Sequence, residues 1–204
     1  MKQDVPVSCT CGKVKGVIRG LGAHNSNHVR CPCDGCQSYA QYLGRADDML
    51  DERGFSNIFQ IDPSTYEIHE GMEHVAGVRI TRTGPIRWYA DCCKTPLGNT
   101  LPRGGIAFLG VLPICTGHKG TDKAVVDMVG PVRAIANART PQPIGARVKT
   151  FFMLMHLMRL MLLWRIRGGK SWKPFFDKET LRPLKKPVTL SDAEREAFEA
   201  KVIS

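Results

Sequence analysis

The stretch Cys31-Pro-Cys-Asp-Gly-Cys36 places cysteines at positions 31, 33 and 36. Three thiolates so close in sequence can converge on one soft divalent cation. Zinc binds thiolate sulfur at about 2.3 Å and takes four ligands. A closed four-ligand site is structural, whereas a catalytic one keeps a position for water or substrate. Whether the chain supplies a fourth ligand therefore decides what Cys31, Cys33 and Cys36 can do.

A second set lies apart in sequence. Cys9-Thr-Cys11-Gly12 is a Cys-x-Cys pair followed by glycine. On an extended chain alternate side chains share a face, so Cys9 and Cys11 can share a metal. Cys92-Cys93 can complete four ligands with them. Adjacent cysteines point to opposite sides of an ideal strand, so using both requires a bulge or tight turn. Either both bind, or one of the two is not a ligand. Cys115 and His118, in Cys-Thr-Gly-His, are candidates for the fourth ligand of the triplet. Cys115 also reads as a small buried hydrophobe. His24 and His28 fall in a polar loop and are expected to be solvated.

The elements that must position these residues are mostly short strands. Residues 5–19 read as strand, turn at Cys11-Gly12, and strand. Residues 20–30 read as loop, and Gln37 to Leu43 as a helical turn carrying the triplet. Asp47, Asp48, Asp51 and Glu52 read as a solvated acidic patch. Strands are expected at 55–61, 66–69, 75–83, 86–89 and 104–113, the spacing of an all-β meander or sandwich. A Pro/Gly-rich connector follows at 130–146. The period then changes to that of a helix over 148–167, apolar except for a stripe of Lys149, His156, Arg159 and Arg167. Gly168-Gly169 is expected to end it. Packing on the β core, pairing with a copy in a homodimer, and lying on a membrane surface are its three candidate placements. Ser191-Asp-Ala-Glu194 reads as a capping box opening a last helix to about Val202. The expected division is a β domain at 1–130 and an extension at 131–204.

The net charge is +10, from 29 Lys and Arg against 19 Asp and Glu. The basic residues are spread, which favours anionic small ligands over nucleic acid. The arm from Lys170 to Pro187 carries Trp172, Phe175 and Phe176 among basic residues. These rings can stack bases, but they are expected to anchor the arm to its own core. Met1-Lys-Gln-Asp-Val-Pro lacks an apolar leader, so a cytoplasmic address is the default expectation. In a reducing compartment the eight cysteines read as metal ligands before disulfides.

The cysteine order Cys9-Thr-Cys11-Gly12, Cys31-Pro-Cys33-Asp-Gly-Cys36 and Cys93-Lys-Thr-Pro-Leu97 resembles the glutathione-dependent formaldehyde-activating enzyme family, which includes centromere protein V. The resemblance spans about residues 7–115. It implies a mainly β, zinc-stabilised β-tent core of short antiparallel strands, here with a C-terminal helical extension, and two zinc ions. Cys9 and Cys11 with the later cysteine pair would hold a structural zinc. Cys31, Cys33 and Cys36 would hold a reactive one. The family's late pair is usually Cys-x-x-Cys followed by Gly; here the first cysteine position is Ala90 and the glycine position is Lys94. The implied activity is that of a carbon–sulfur lyase or synthase joining a small thiol such as glutathione to an aldehyde. Arg79, Arg82, Arg87 and Arg103 are candidates to hold glutathione's carboxylates. The alternative is a non-enzymatic zinc module for nucleic acid or protein, with both sites closed by the chain.

Overall fold

The computed structural model describes residues 2–119, 123–167 and 171–202. It is mainly β, with eleven strands in two sheets and a helical C-terminal part. The smaller sheet has the order β1-β2-β5, from β1 (Gln3–Ser8), β2 (Lys15–Leu21) and β5 (Tyr66–Glu70). The larger is built on β3 (Asn27–Cys31), β4 (Ser56–Ile61), β6 (Val75–Arg79), β7 (Ile86–Ala90), β8 (Thr95–Thr100) and β9 (Leu109–Val111). With β10 (Ala134–Ile135) and β11 (Val188–Thr189) at its edges, its order is β10-β3-β4-β9-β8-β7-β6-β11. The central pairings are antiparallel, but both edge strands run parallel to their neighbours.

The loop expected at 20–30 is in part strand β3. Its polar residues hid it, because they are buried with partners rather than solvated. Asn27 donates to Gln60 at 2.7 Å, and His28 sits between the Gly130 carbonyl and the Asn57 amide at 2.7 Å each. A buried polar group is tolerated when it is hydrogen-bonded, so His28 is a structural residue. The run at 104–113 forms a strand only over Leu109–Val111, while Thr95–Thr100, where no strand is expected, is strand β8. Sequence patterning also passed over helix α3 (Lys123–Val129).

Helix α1 (Asp34–Tyr42) follows β3 almost at once, and α2 (Ala46–Met49) carries Asp47 and Asp48. The apolar helix α4 runs Ile144–Ile166. It lies on the β core through Met153, Leu160 and Trp164, one stripe at helical spacing. The expected stop at Gly168-Gly169 lies outside the described residues. Among the described residues no helix is long and apolar enough to cross a membrane. Helix α5 (Asp192–Glu199) opens on the expected capping box, with Ser191 and Glu194 each accepting the other's backbone N–H.

The described residues beyond 130 are bound into the β core. They supply both edge strands, and the basic arm plants Phe175 and Phe176 in the main core. Phe175 stacks on Trp88 with ring centroids 4.7 Å apart, and Phe176 meets the same indole edge-on. Those rings are buried, so they are not available to stack bases. Phe175→Ala should cost about 3–5 kcal/mol of stability, the range for truncating a buried aromatic. A lower midpoint in chemical denaturation is expected, and an unchanged midpoint would mean the arm does not anchor the fold.

Candidate functional site

Two groups of cysteines gather among the described residues, each compact enough to hold a metal ion: Cys9, Cys11, Cys92 and Cys93, and Cys31, Cys33 and Cys36. None of the eight cysteines is in a disulfide.

The four-cysteine group joins two turns from different sheets. Cys9 and Cys11 lie on the turn from β1 to β2, and Cys92 and Cys93 on the turn from β7 to β8. Gly12, at φ +77°, closes the first turn, and the Val14 N–H donates to Cys9 Sγ at 3.2 Å. Cys11–Cys92 stand 3.3 Å apart, Cys9–Cys11 3.5 Å, and Cys9–Cys92 and Cys92–Cys93 3.9 Å, and all four sulfurs lie within 4.8 Å of one another. Four sulfurs around a tetrahedral zinc would stand about 3.8 Å apart, whereas a disulfide needs about 2.05 Å.

Both Cys92 and Cys93 point inward because the chain leaves strand geometry between β7 and β8. Lys94 has φ 56°, the left-handed region, which carries the tight turn that adjacent ligands need. Burial raises the Cys93 pKa, but hydrogen bonds from Thr10 and Thr95 outweigh it and bring the thiol down to about 5. Burial and the neighbouring thiols of Cys11 and Cys93 push Cys92 up to about 12. Arg45 ties this corner to the helices, donating to the Cys93 carbonyl at 3.2 Å and to Asp48 at 2.8 Å.

The triplet sits where β3 runs into α1. Cys31 ends the strand, Cys33 is the residue before the first turn of the helix, and Cys36 lies in that turn. The helix N-terminus offers unpaired N–H groups and partial positive charge, which favour thiolate. The Cys36 N–H donates to the Cys33 carbonyl at 2.9 Å, and Cys31 Sγ lies 3.3 Å from Cys33 Sγ. Asn137 donates to Cys31 Sγ at 3.5 Å. Hydrogen bonds from Cys31 and Cys36 hold the Cys33 thiol far below its usual pKa. Cys31 and Cys33, together with burial, push Cys36 well above its own. Ionising one thiol thus makes the others costly to ionise, and a cation among them removes that cost.

Arg87 faces the same cluster. It is 5% exposed, and both terminal nitrogens lie 3.8 Å from Cys36 Sγ. Its guanidinium also lies over the Tyr39 ring, 5.1 Å from the centroid. Among the described residues no carboxylate pairs with it. Burial alone would lower its pKa, but the Cys36 and Cys33 sulfurs raise it by more, so it stays charged. A buried charge requires an opposite one, and here that charge is sulfur. Gly35 makes the approach possible: a Cβ there would stand 3.1 Å from the Arg87 guanidinium. Three thiolates and a divalent cation sum to minus one, which Arg87 neutralises.

Neither Cys115 nor His118 joins the triplet. Cys115 is fully buried in the main core, and burial pushes its thiol up to about 12. Among the described residues no other Cys, His, Asp or Glu completes a fourth ligand.

A cavity of about 190 Å³ is lined by Pro32 and Gln37, chain neighbours of the triplet cysteines, and by Arg53, Phe55 and Arg139. It shares Ile135, Ala138, Thr140 and Gln142 with a groove of about 500 Å³, which adds Asn137 and Arg147. Among the described residues no Asp or Glu lines either space. The arginines here are therefore Arg53, Arg139 and Arg147, not Arg79, Arg82, Arg87 or Arg103. Most of the wall belongs to the Pro/Gly-rich connector, which carried no motif and read only as a link.

Two substitutions follow from this geometry. Arg87→Met should weaken metal binding at the triplet by about 10–100-fold, the usual cost of losing a partner behind the ligands. The four-cysteine group should keep its affinity, as read by competition with a chromophoric chelator; equal weakening of both, or of neither, would contradict the charge pairing. Lys94→Gly should stabilise the fold by about 1 kcal/mol, the strain of a side chain in the left-handed region. A raised thermal midpoint is the expected outcome, and a lowered one would mean the Lys94 side chain outweighs that strain.

A search of the curated proteins found no match to the chain. Among solved structures it is similar to the crystal structure of a Rhodobacter sphaeroides protein, at 16% identity and a TM-score of 0.40, covering 61% of this chain and 96% of that one. The model of a family of unknown function, DUF6151, matches residues 1–179, and the chain belongs to that family.

Proposed function

We propose that the chain is a zinc-dependent carbon–sulfur lyase or synthase acting on the adduct of a small thiol and an aldehyde. The observation that carries this reading is the triplet. Three sulfurs converge at a helix N-terminus, no fourth protein ligand stands among the described residues, and their chain neighbours Pro32 and Gln37 line a cavity with arginines. The cysteine order, similar to that of the glutathione-dependent formaldehyde-activating enzymes, supports the same assignment.

In this reading Cys9, Cys11, Cys92 and Cys93 hold a structural zinc that closes the tent between the two sheets. Cys31, Cys33 and Cys36 hold the second. Zinc held there would supply Lewis acidity and would lower the pKa of a small thiol. The chain's own residues do the rest. Arg87 balances the charge of the cluster from behind, and Asn137 fixes Cys31 by a hydrogen bond. Arg53 lines the cavity and Arg147 the groove, where they bind the carboxylates of a glutathione-type thiol, while Arg139 is paired with Asp34 at the cavity's edge. Phe55 and Ile135 give the cavity an apolar wall that limits water around the reacting carbon. The adduct forms as the thiol sulfur bonds to the aldehyde carbon and the aldehyde oxygen takes up a proton; the reverse releases both.

Protein purified without chelator should carry two zinc ions per chain, and Cys33→Ser should carry one. The parent should speed exchange between glutathione, formaldehyde and their adduct, followed by NMR, and Cys33→Ser should not. Two zinc ions without acceleration would reject the reaction while keeping the sites. Less than one zinc per chain would reject both.

A further inference from the structure

Helix α4 has a second apolar face. Opposite the stripe of Met153, Leu160 and Trp164 that lies on the core, it exposes Ile144, Val148, Phe151, Met155, Met158 and Leu162. Phe152 is 66% exposed and Ile166 71%. Large contiguous apolar surface of this kind marks an interaction site. The helix has 23 residues, so the face is about 35 Å long at 1.5 Å per residue.

The charges on the helix choose the occupant. Helix α4 contains Arg147, Lys149, Arg159 and Arg165, all exposed, and no Asp or Glu. At 100° per residue Arg147 and Arg165 fall on one flank of the exposed apolar face and Arg159 on the other. A two-fold pairing presents the same patch from both copies. The arginines would then confront arginines, with no carboxylate on the helix to answer them. An anionic bilayer provides the complement: phosphate and carboxylate headgroups for the arginines, and acyl chains for Phe151, Met155, Met158 and Leu162. The helix is not long and apolar enough to cross a bilayer, so the geometry considered is one with its axis along the surface.

We propose that the outer face of helix α4 docks the protein on the surface of an anionic lipid bilayer, its axis in the membrane plane. Arg147, Phe151 and Leu154 also line the groove beside the triplet. Docking therefore holds that groove against the headgroup layer.

The test is co-sedimentation of the full chain with vesicles of phosphatidylcholine alone and of a phosphatidylcholine–phosphatidylserine mixture. Light scattering runs in parallel. The chain is expected to partition onto the mixed vesicles, to leave them at high salt, and to ignore the neutral ones. Arg159→Glu combined with Arg165→Glu should lower partitioning by about tenfold or more, given the charge each arginine brings to the surface. Phe151→Asp combined with Met158→Asp should remove it, with circular dichroism and metal content unchanged. Equal binding to neutral vesicles, retained binding by either variant, or no binding by a monomer would overturn the proposal. So would a dimer that fails to bind vesicles and that Phe151→Asp dissociates, for the face would then belong to a second copy.

Discussion

The buried guanidinium of Arg87 needs negative charge, and among the described residues no carboxylate supplies it. Cysteine sulfur does, and that pairing sets the character of the whole corner. Cys36 is buried beside it, Gly35 is small enough to let it approach, and Tyr39 stacks beneath it. An arginine cannot give up its proton to escape the interior. One thiolate answers that charge; three thiolates held together would leave two negative charges over, which a divalent cation balances. Arg87 and a divalent ion leave that interior electrically neutral, which explains why a cationic residue and three acidic thiols are packed into one site.

The four-cysteine group solves a different problem. Its ligands come from two turns about eighty residues apart, one in each sheet, so a metal there links the sheets much as a long-loop disulfide would. It lies nearer the solvent, with Cys11 exposed, so water can balance its charge and no buried arginine is needed. The C-terminal part adds a second tie, through Phe175 stacked on Trp88 and edge strands on both sides of the larger sheet. The connector that makes this return path also walls the cavity beside the triplet. Stability and site construction are carried by the same segment.

Much of this was legible in the residues themselves. Cysteine spacing identified both groups, because metal ligation demands specific atoms at specific separations. The capping box at Ser191 and the apolar period of α4 are local signals and were read correctly. What escaped is non-local. Strand β3 is disguised by Asn27 and His28, whose partners Gln60 and Asn57 are some thirty residues away. Arg87 was one arginine among many until the fold brought Cys36 to it. The convergence of both Cys92 and Cys93 depends on the backbone at Lys94, where a non-glycine residue takes a conformation that sequence patterning does not assign to it. The polar wall of the cavity comes from a stretch with no motif at all.

The central claim is that seven sulfurs, four in one group and three in the other, are shared between two metal ions. X-ray absorption at the zinc edge of the intact chain, with the metal quantified on the same sample, tests it most directly. The account predicts two ions per chain and an average of about 3.5 sulfurs per ion near 2.3 Å, with a lighter atom completing the shell. A single ion with four sulfurs, or sulfur found as disulfide with no metal, would contradict it.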